Sequence, residues 1–148
     1  GLNLATSTIL MKNKKPKTKV CIDCKKRMPI KAFVPRYDYQ GGYRGRCIKC
    51  NTIRIKQKKI NLRKMVSDYK KSKGCKNCDY NDPRALCLHH RNPKNKKMDI
   101  SNLISRSYSA GAVKKEMEKC DVLCANCHAI LHHEEHLSKR KIGWLFKF

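Results

Sequence analysis

Arg84-Ala-Leu-Cys-Leu-His-His-Arg91 alternates as a strand does, with Leu86 and Leu88 on one face and Cys87 on the other, and it ends in the adjacent pair His89-His90. Downstream, Val122-Leu-Cys-Ala-Asn-Cys-His-Ala-Ile-Leu-His132 enters a helix on which His128 and His132 lie one turn apart. Histidines are thus expected to converge from a strand end and a helix. The pairs Cys75/Cys78 and Cys124/Cys127 lie just outside these two elements, so a single zinc held by all four clamps strand against helix and keeps the imidazoles in register.

Working outward, the chain carries four Cys-x-x-Cys pairs: Cys21/Cys24, Cys47/Cys50, Cys75/Cys78 and Cys124/Cys127. Each such turn presents two thiolates on one knuckle, and Zn²⁺ prefers four tetrahedral ligands, so eight paired cysteines imply two structural Zn²⁺ ions. Loop-closure entropy favours pairs that are neighbours in sequence. The first site therefore takes Cys21, Cys24, Cys47 and Cys50, and the second takes the remaining four. Cys87 and Cys120 fall outside the pattern. Cys87 reads as a small buried hydrophobe, and Cys120 falls on a helical stripe with Val113 and Met117 across residues 112–120. In the first module, Tyr37-Asp-Tyr-Gln-Gly-Gly-Tyr43 carries the turn signal of a β-hairpin at Gly41-Gly42, and a zinc ribbon over 20–50 is the natural reading.

Between the modules, residues 51–73 lack Pro and Gly and place Ile55, Leu62, Val66 and Tyr69 on one helical face. Nine of these residues are Lys or Arg against the single acid Asp68, too one-sided for intrahelical ion pairing. Arg54, Lys56, Lys58, Lys59, Arg63 and Lys64 are accordingly candidates for phosphate contact. Lys12, Lys14, Lys15, Lys17 and Lys19 form a basic arm over 1–19. The tail over 139–148 mixes cations with Trp144, Phe146 and Phe148, suiting either packing onto the core or base stacking.

Composition bounds the function. Across 148 residues, 36 Lys+Arg against 11 Asp+Glu leave a formal charge of +25, which two four-thiolate zinc sites lower by only about four units. A polyanion partner is expected. The hydrophobic fraction is 40 %, ten of those residues being cysteine, so the greasy core is thin and metal staples are needed. A large-pocket metabolic enzyme is disfavoured, and no apolar run approaches the ~20 residues of a bilayer helix. Residues 1–10 lack a basic leader and a cleavage site, so an intracellular, reducing compartment (cytoplasm, nucleus or virion) is expected, where spaced cysteine pairs hold metal.

At Cys75-x-x-Cys78, Leu88-His-His90, Leu123-Cys-Ala-Asn-Cys-His128 and His132, the chain resembles the HNH endonuclease family over about residues 74–136. Residues 18–60 resemble, more weakly, the zinc knuckles that accompany phage-type nucleases. The resemblance implies a small α+β zinc-stabilised chain: ribbon, basic helix, and a C-terminal ββα-metal module over 74–138. It also implies His90 as general base, His89 and His128 as ligands of one catalytic divalent ion (Mg²⁺, Mn²⁺ or Zn²⁺), and His132 as a third ligand. The middle Asn of the family's name has no counterpart at Lys119-Cys120-Asp121; Asn102 lies upstream and Asn126 inside the knuckle, so that role is unassigned.

Phosphodiester hydrolysis needs a base for water, a cation for the phosphoryl charge, and rigid placement of both. Histidine, with an ordinary pKa near ~6.5, suits the base. Arg91, Lys94, Lys96 and Lys97 follow the strand end and are placed to bind flanking phosphates. The expected activity is cleavage of DNA, with RNA as a further substrate class. The rival reading is a non-catalytic zinc protein that binds nucleic acid or fills a structural place in a virion or other nucleoprotein assembly. The two diverge at the histidines, because only a nuclease needs imidazoles around an ion with open positions.

Overall fold

Among the described residues, the first unit, Gly1–Arg54, is built from strands of three to five residues, one short 3-10 turn, two cysteine knuckles and the opening turns of a long helix. The structure, a computed structural model, describes residues 17–36 and 42–145, with side chains to residue 138. The expected arm at Lys12, Lys14 and Lys15, the turn at 37–41 and the tail side chains from 139, including Trp144, Phe146 and Phe148, lie outside the described residues.

In this unit β1 (Thr18–Val20) pairs antiparallel with β2 (Arg27–Pro29), Lys19 lying opposite Met28. The connection between them carries Cys21 and Cys24. A second antiparallel pair, β3 (Phe33–Pro35) with β4 (Tyr43–Cys47), brackets the expected hairpin turn, with Phe33 opposite Cys47 and Pro35 opposite Tyr43. The buried core is Cys21, Phe33 and Cys47, with Met28, Ala32, Tyr43 and Cys50 packed against it. A core this small does not hold four short strands together without help, and two of its three buried residues are cysteines.

The long helix α1 spans Ile48–Lys73. It begins three residues before the expected start, because the second cysteine of the knuckle, Cys50, already sits in its first turn. Its expected apolar stripe is shorter than the sequence spacing suggests. Leu62 and Val66 are buried, and Met65 and Tyr69 pack beside them, whereas Ile55 is 37 % exposed and Ile53 and Ile60 more so. The helix stops at Gly74, whose φ of 63° is the left-handed conformation that glycine adopts freely, and its N–H caps the Lys70 carbonyl at 2.9 Å.

The second unit, Ile55–Phe148, contains one antiparallel pair, β5 (Leu86–His90) with β6 (Cys120–Cys124), in register from Leu86 opposite Cys124 to His90 opposite Cys120. Helices α2 (Ile100–Ser105) and α3 (Ala110–Met117) lie between these strands in sequence, and α4 (Ala125–Leu145) follows β6 directly. Ser109 caps α3 by accepting the Ala112 N–H at 3.2 Å. Cys120 corrects one expectation. It is buried beside Val113 and Met117, but α3 ends at Met117 and Cys120 opens β6, because ladder bonds to β5 outweigh helical spacing in the short apolar run Cys120-Asp-Val-Leu-Cys124.

Cross-strand partners share a face, so Leu88 with Val122 and His90 with Cys120 face one way, and Cys87 with Leu123 and His89 with Asp121 face the other. The larger apolar cluster joins Leu62 and Val66 to Ile100, Leu103, Ile104, Val113, Met117 and Cys120. The smaller one joins Cys75, Leu86, Val122, Leu123 and Cys124, with Leu131 of α4 packed on it. The result is a small mixed α+β protein with two four-cysteine clusters suited to zinc. Among the described residues no helix is long and apolar enough to cross a membrane.

Candidate metal centre

Eight cysteines assemble as the spacing suggests. Cys21, Cys24, Cys47 and Cys50 bring their sulfurs within 4.8 Å of one another, and so do Cys75, Cys78, Cys124 and Cys127. Four sulfurs at ~2.3 Å from a tetrahedral ion stand about 3.8 Å apart. In the second cluster Cys78 Sγ lies 3.8 Å from Cys124 Sγ and 3.9 Å from Cys127 Sγ, so the donor set fits zinc.

The backbone prepares these sulfurs to be thiolates. The Cys47 N–H donates to Cys21 Sγ at 3.4 Å and the Cys124 N–H to Cys75 Sγ at 3.1 Å. The bond from Cys47, with others from Cys24 and Asp23, outweighs desolvation and brings the Cys21 thiol down to about 6. At Cys75 burial pushes the other way, but the Cys124 and Asn77 N–H groups still bring it to about 6. Within the same clusters, hydrogen bonding to Cys47 and Cys124 respectively holds Cys50 and Cys127 up at about 12. One thiolate forms readily and the next does not, so full deprotonation of each cluster calls for a cation.

The third cluster is made of imidazoles. β5 contributes His89, and α4 contributes His128 and His132, with one ligand nitrogen from each lying within 4.8 Å of the others. His128 Nε2 faces His132 Nε2 at 3.2 Å, close to the ~3.4 Å separating two nitrogens bound tetrahedrally to one ion. The His89 ring sits edge-on to both, with centroids 5.3 and 5.0 Å away. Burial, then the proximity of His132 and His89, lowers the pKa of His128 and favours the neutral, ligating form. His132, expected as a third ligand, is thus one of the three imidazoles brought together.

His90 is not among them. Successive strand residues face opposite ways, so His90 leaves β5 on the other side and places Nε2 3.0 Å from Glu116 Oε1. Glu116 is the buried charged side chain of the described residues, 2 % exposed, and also accepts from the Lys97 N–H at 2.8 Å and from Lys119 Nζ at 2.8 Å. Burial alone would raise its carboxyl pKa, but Lys119, the Lys97 amide and His90 hold it at about 2. Its stabilising contribution is therefore complete above its ordinary value of 4.5 and is lost as pH falls toward 2. Replacing Glu116 by Ala strips three donors of their partner, and a loss of about 3 kcal/mol, or roughly 10–20 °C in Tm, is expected in a circular-dichroism melt. A shift of only a degree or two would show the network to be passive.

No protein family, curated protein or solved structure matches this chain. Function rests on the geometry of the side chains.

Two acidic residues are additions that sequence reasoning did not reach. Glu135 stands beside the imidazole cluster, Oε2 3.3 Å from His132 Nδ1 and Oε1 3.7 Å from His89 Nε2. A carboxylate on the far nitrogen of a ligating histidine fixes its tautomer and raises its basicity. The signal was present as the i,i+3 spacing of His132 and Glu135. Glu116 shows the same i,i+3 spacing to Lys119, but its other partners, His90 and the Lys97 N–H, come from β5 and the loop after it.

The cationic candidates separate into engaged and free. Lys58 Nζ donates to the Ser107 carbonyl at 2.8 Å, and Lys64 pairs with Asp68 at 2.8 Å. Lys96 pairs with Asp99 at 2.6 Å. The Arg91 guanidinium donates to the carbonyls of Cys120 and Glu118 and to Asp121, binding the end of β5 to the segment leading into β6. Arg54, Lys56, Lys59, Arg63, Lys94 and Lys97 have side chains without an intramolecular partner among the described residues.

Proposed function

We propose that this chain is a metal-dependent endonuclease of the HNH type that hydrolyses phosphodiester bonds in DNA. The observation that carries this reading is the meeting of His89, His128 and His132 at one point between a strand and a helix. The chain's charge of +25 supplies the affinity for a polyanion.

In this reading His89, His128 and His132 hold a divalent ion through one nitrogen each and leave the rest of its coordination shell to water and substrate. The ion, when bound, neutralises charge on the phosphoryl oxygens and the departing alkoxide. Glu135 steadies His132 from behind. His90 keeps the role of general base. Its Nε2–H is donated to Glu116, which directs the lone pair to Nδ1 and stabilises the imidazolium that forms when Nδ1 takes a proton from water. The buried, ionised Glu116 thus positions the base from behind. Free cations on α1 and after β5 meet the flanking phosphates.

The test is a plasmid-relaxation assay on the full chain with zinc at two per molecule. Nicking is expected with Mg²⁺ or Mn²⁺, none when the labile ion is withheld, and a loss of about 10²- to 10⁴-fold for His90→Ala with zinc content unchanged. Cutting of His90→Ala at the wild-type rate would remove His90 as the base. Absence of nicking with any divalent ion, while the imidazole cluster still binds metal, would favour the non-catalytic assembly component instead. A labelled RNA strand run in parallel decides between DNA and RNA.

A further inference from the structure

In the first unit, β4 and the opening turns of α1 enclose a cleft of about 390 Å³ lined by Arg36, Arg44, Gly45, Arg46, Asn51 and Arg54. Its construction follows from the two periodicities. Arg44 and Arg46 are two apart on a strand and leave it on one face; Asn51 and Arg54 are three apart on a helix and share a face. Four guanidinium groups therefore meet in one concavity, and no carboxylate among the described residues lines it.

Such a gathering of like charge is unfavourable in itself, and Asp23 offsets part of it by pairing with Arg46. Asp23 engages Arg46 through Nε alone, at 3.0 and 2.8 Å, which holds that guanidinium in place without meeting its terminal amino groups. Arg44 and Arg54 have no partner among the described residues. Arginine's planar fork matches a phosphate's oxygens two at a time, and the half-buried Asn51 adds a neutral amide to the same wall.

We propose that this cleft is a seat for the backbone phosphates of a nucleic acid, additional to the imidazole centre of the second unit. The choice of nucleic acid as the anion rests on the nuclease reading; the seat itself rests on the arginines.

The experiment measures binding, so it does not depend on cutting. Affinity of the zinc-loaded full chain for a fluorescent 20-base-pair duplex is followed by anisotropy across a salt series, without Mg²⁺ or Mn²⁺. Arg44→Gln/Arg54→Gln is expected to weaken binding about ten-fold or more and to lower the slope of log K against log salt by about two, one for each lost phosphate contact. Lys26→Gln/Lys31→Gln removes the same charge from exposed positions outside the cleft and is expected to stay within two-fold of wild type. Arg44→Lys/Arg54→Lys, which keeps charge and fold, is expected to retain the slope while binding about three-fold more weakly, through loss of the fork. Unchanged affinity and slope in the Gln variant overturn the seat. Equal losses in the two Gln variants overturn it too, in favour of a diffuse field, and so does displacement of the duplex by millimolar inorganic phosphate at constant ionic strength. Arginine-dependent binding here, together with no nicking by the same protein in the plasmid assay with any divalent ion, would sink the nuclease reading and leave the seat standing.

Discussion

Removing zinc from the Cys75/Cys78/Cys124/Cys127 cluster is expected to unfold the second unit. The cluster draws together a turn after α1 and the junction of β6 with α4, which are 46 residues apart between Cys78 and Cys124. Two of its cysteines, Cys75 and Cys124, are themselves among the five buried residues of the smaller apolar cluster. Taking out the ion therefore leaves both a broken cross-link and thiolates that repel. Structural zinc contributes on the order of 10 kcal/mol to folding in small domains, comparable to the whole stability of an ordinary domain. Cys124→Ser is expected to release one zinc per chain, abolish the cooperative thermal transition of this unit and leave the Cys21/Cys24/Cys47/Cys50 cluster loaded. Cys87→Ser is the control. Cys87 belongs to neither four-cysteine cluster, and its replacement is expected to lower Tm by only a few degrees. Zinc release read with a colorimetric chelator beside far-ultraviolet circular dichroism checks both, and a Cys124→Ser protein melting within a few degrees of wild type would show that the metal is ornamental to the fold.

The weight that cysteine carries here also explains what was legible in the sequence. A Cys-x-x-Cys turn is a local geometry with a fixed chemical requirement, so four such turns announce two clusters whatever the rest of the chain does. The strand at Leu86–His90 was equally readable, since alternation of Leu86 and Leu88 with Cys87 is a local property. Where hydrophobic periodicity was the sole guide, tertiary pairing decided otherwise. Val113, Met117 and Cys120 satisfy helical spacing, yet Cys120 stands opposite His90 in the strand ladder. Ile55 shares a helical face with Leu62, but it stays 37 % exposed and outside the buried cluster. Arg91 reads in the sequence only as a charge, because the Cys120 carbonyl that its guanidinium also binds is not visible there. Glu116 shows the same limit. A lone acid in a basic chain became the centre of a buried network only when α3 folded against the end of β5.

Replacing His128 by Ala is expected to cost about 10³-fold or more in plasmid cutting, which corresponds to about 4 kcal/mol of transition-state stabilisation. His128 is a sharp probe because its ring contacts both other imidazoles, 5.3 Å from His89 and 4.4 Å from His132. Its side chain hydrogen-bonds with His132 Nε2, and its loss opens no apolar core. Folding should survive, with two zincs retained per chain and Tm within a few degrees of wild type. What should fail is binding of the labile ion, read by Mn²⁺ titration with electron paramagnetic resonance. Glu135→Gln provides a graded companion. It leaves three imidazoles in place and removes the charge behind His132, so metal affinity should fall by only about 10- to 100-fold. That order, with the ligand variant far worse than the carboxylate variant and neither disturbing the sulfur clusters, is what a histidine-held catalytic ion requires. Cutting by His128→Ala at the wild-type rate, or Mn²⁺ binding unaffected by both substitutions, would mean that the three rings meet for packing alone.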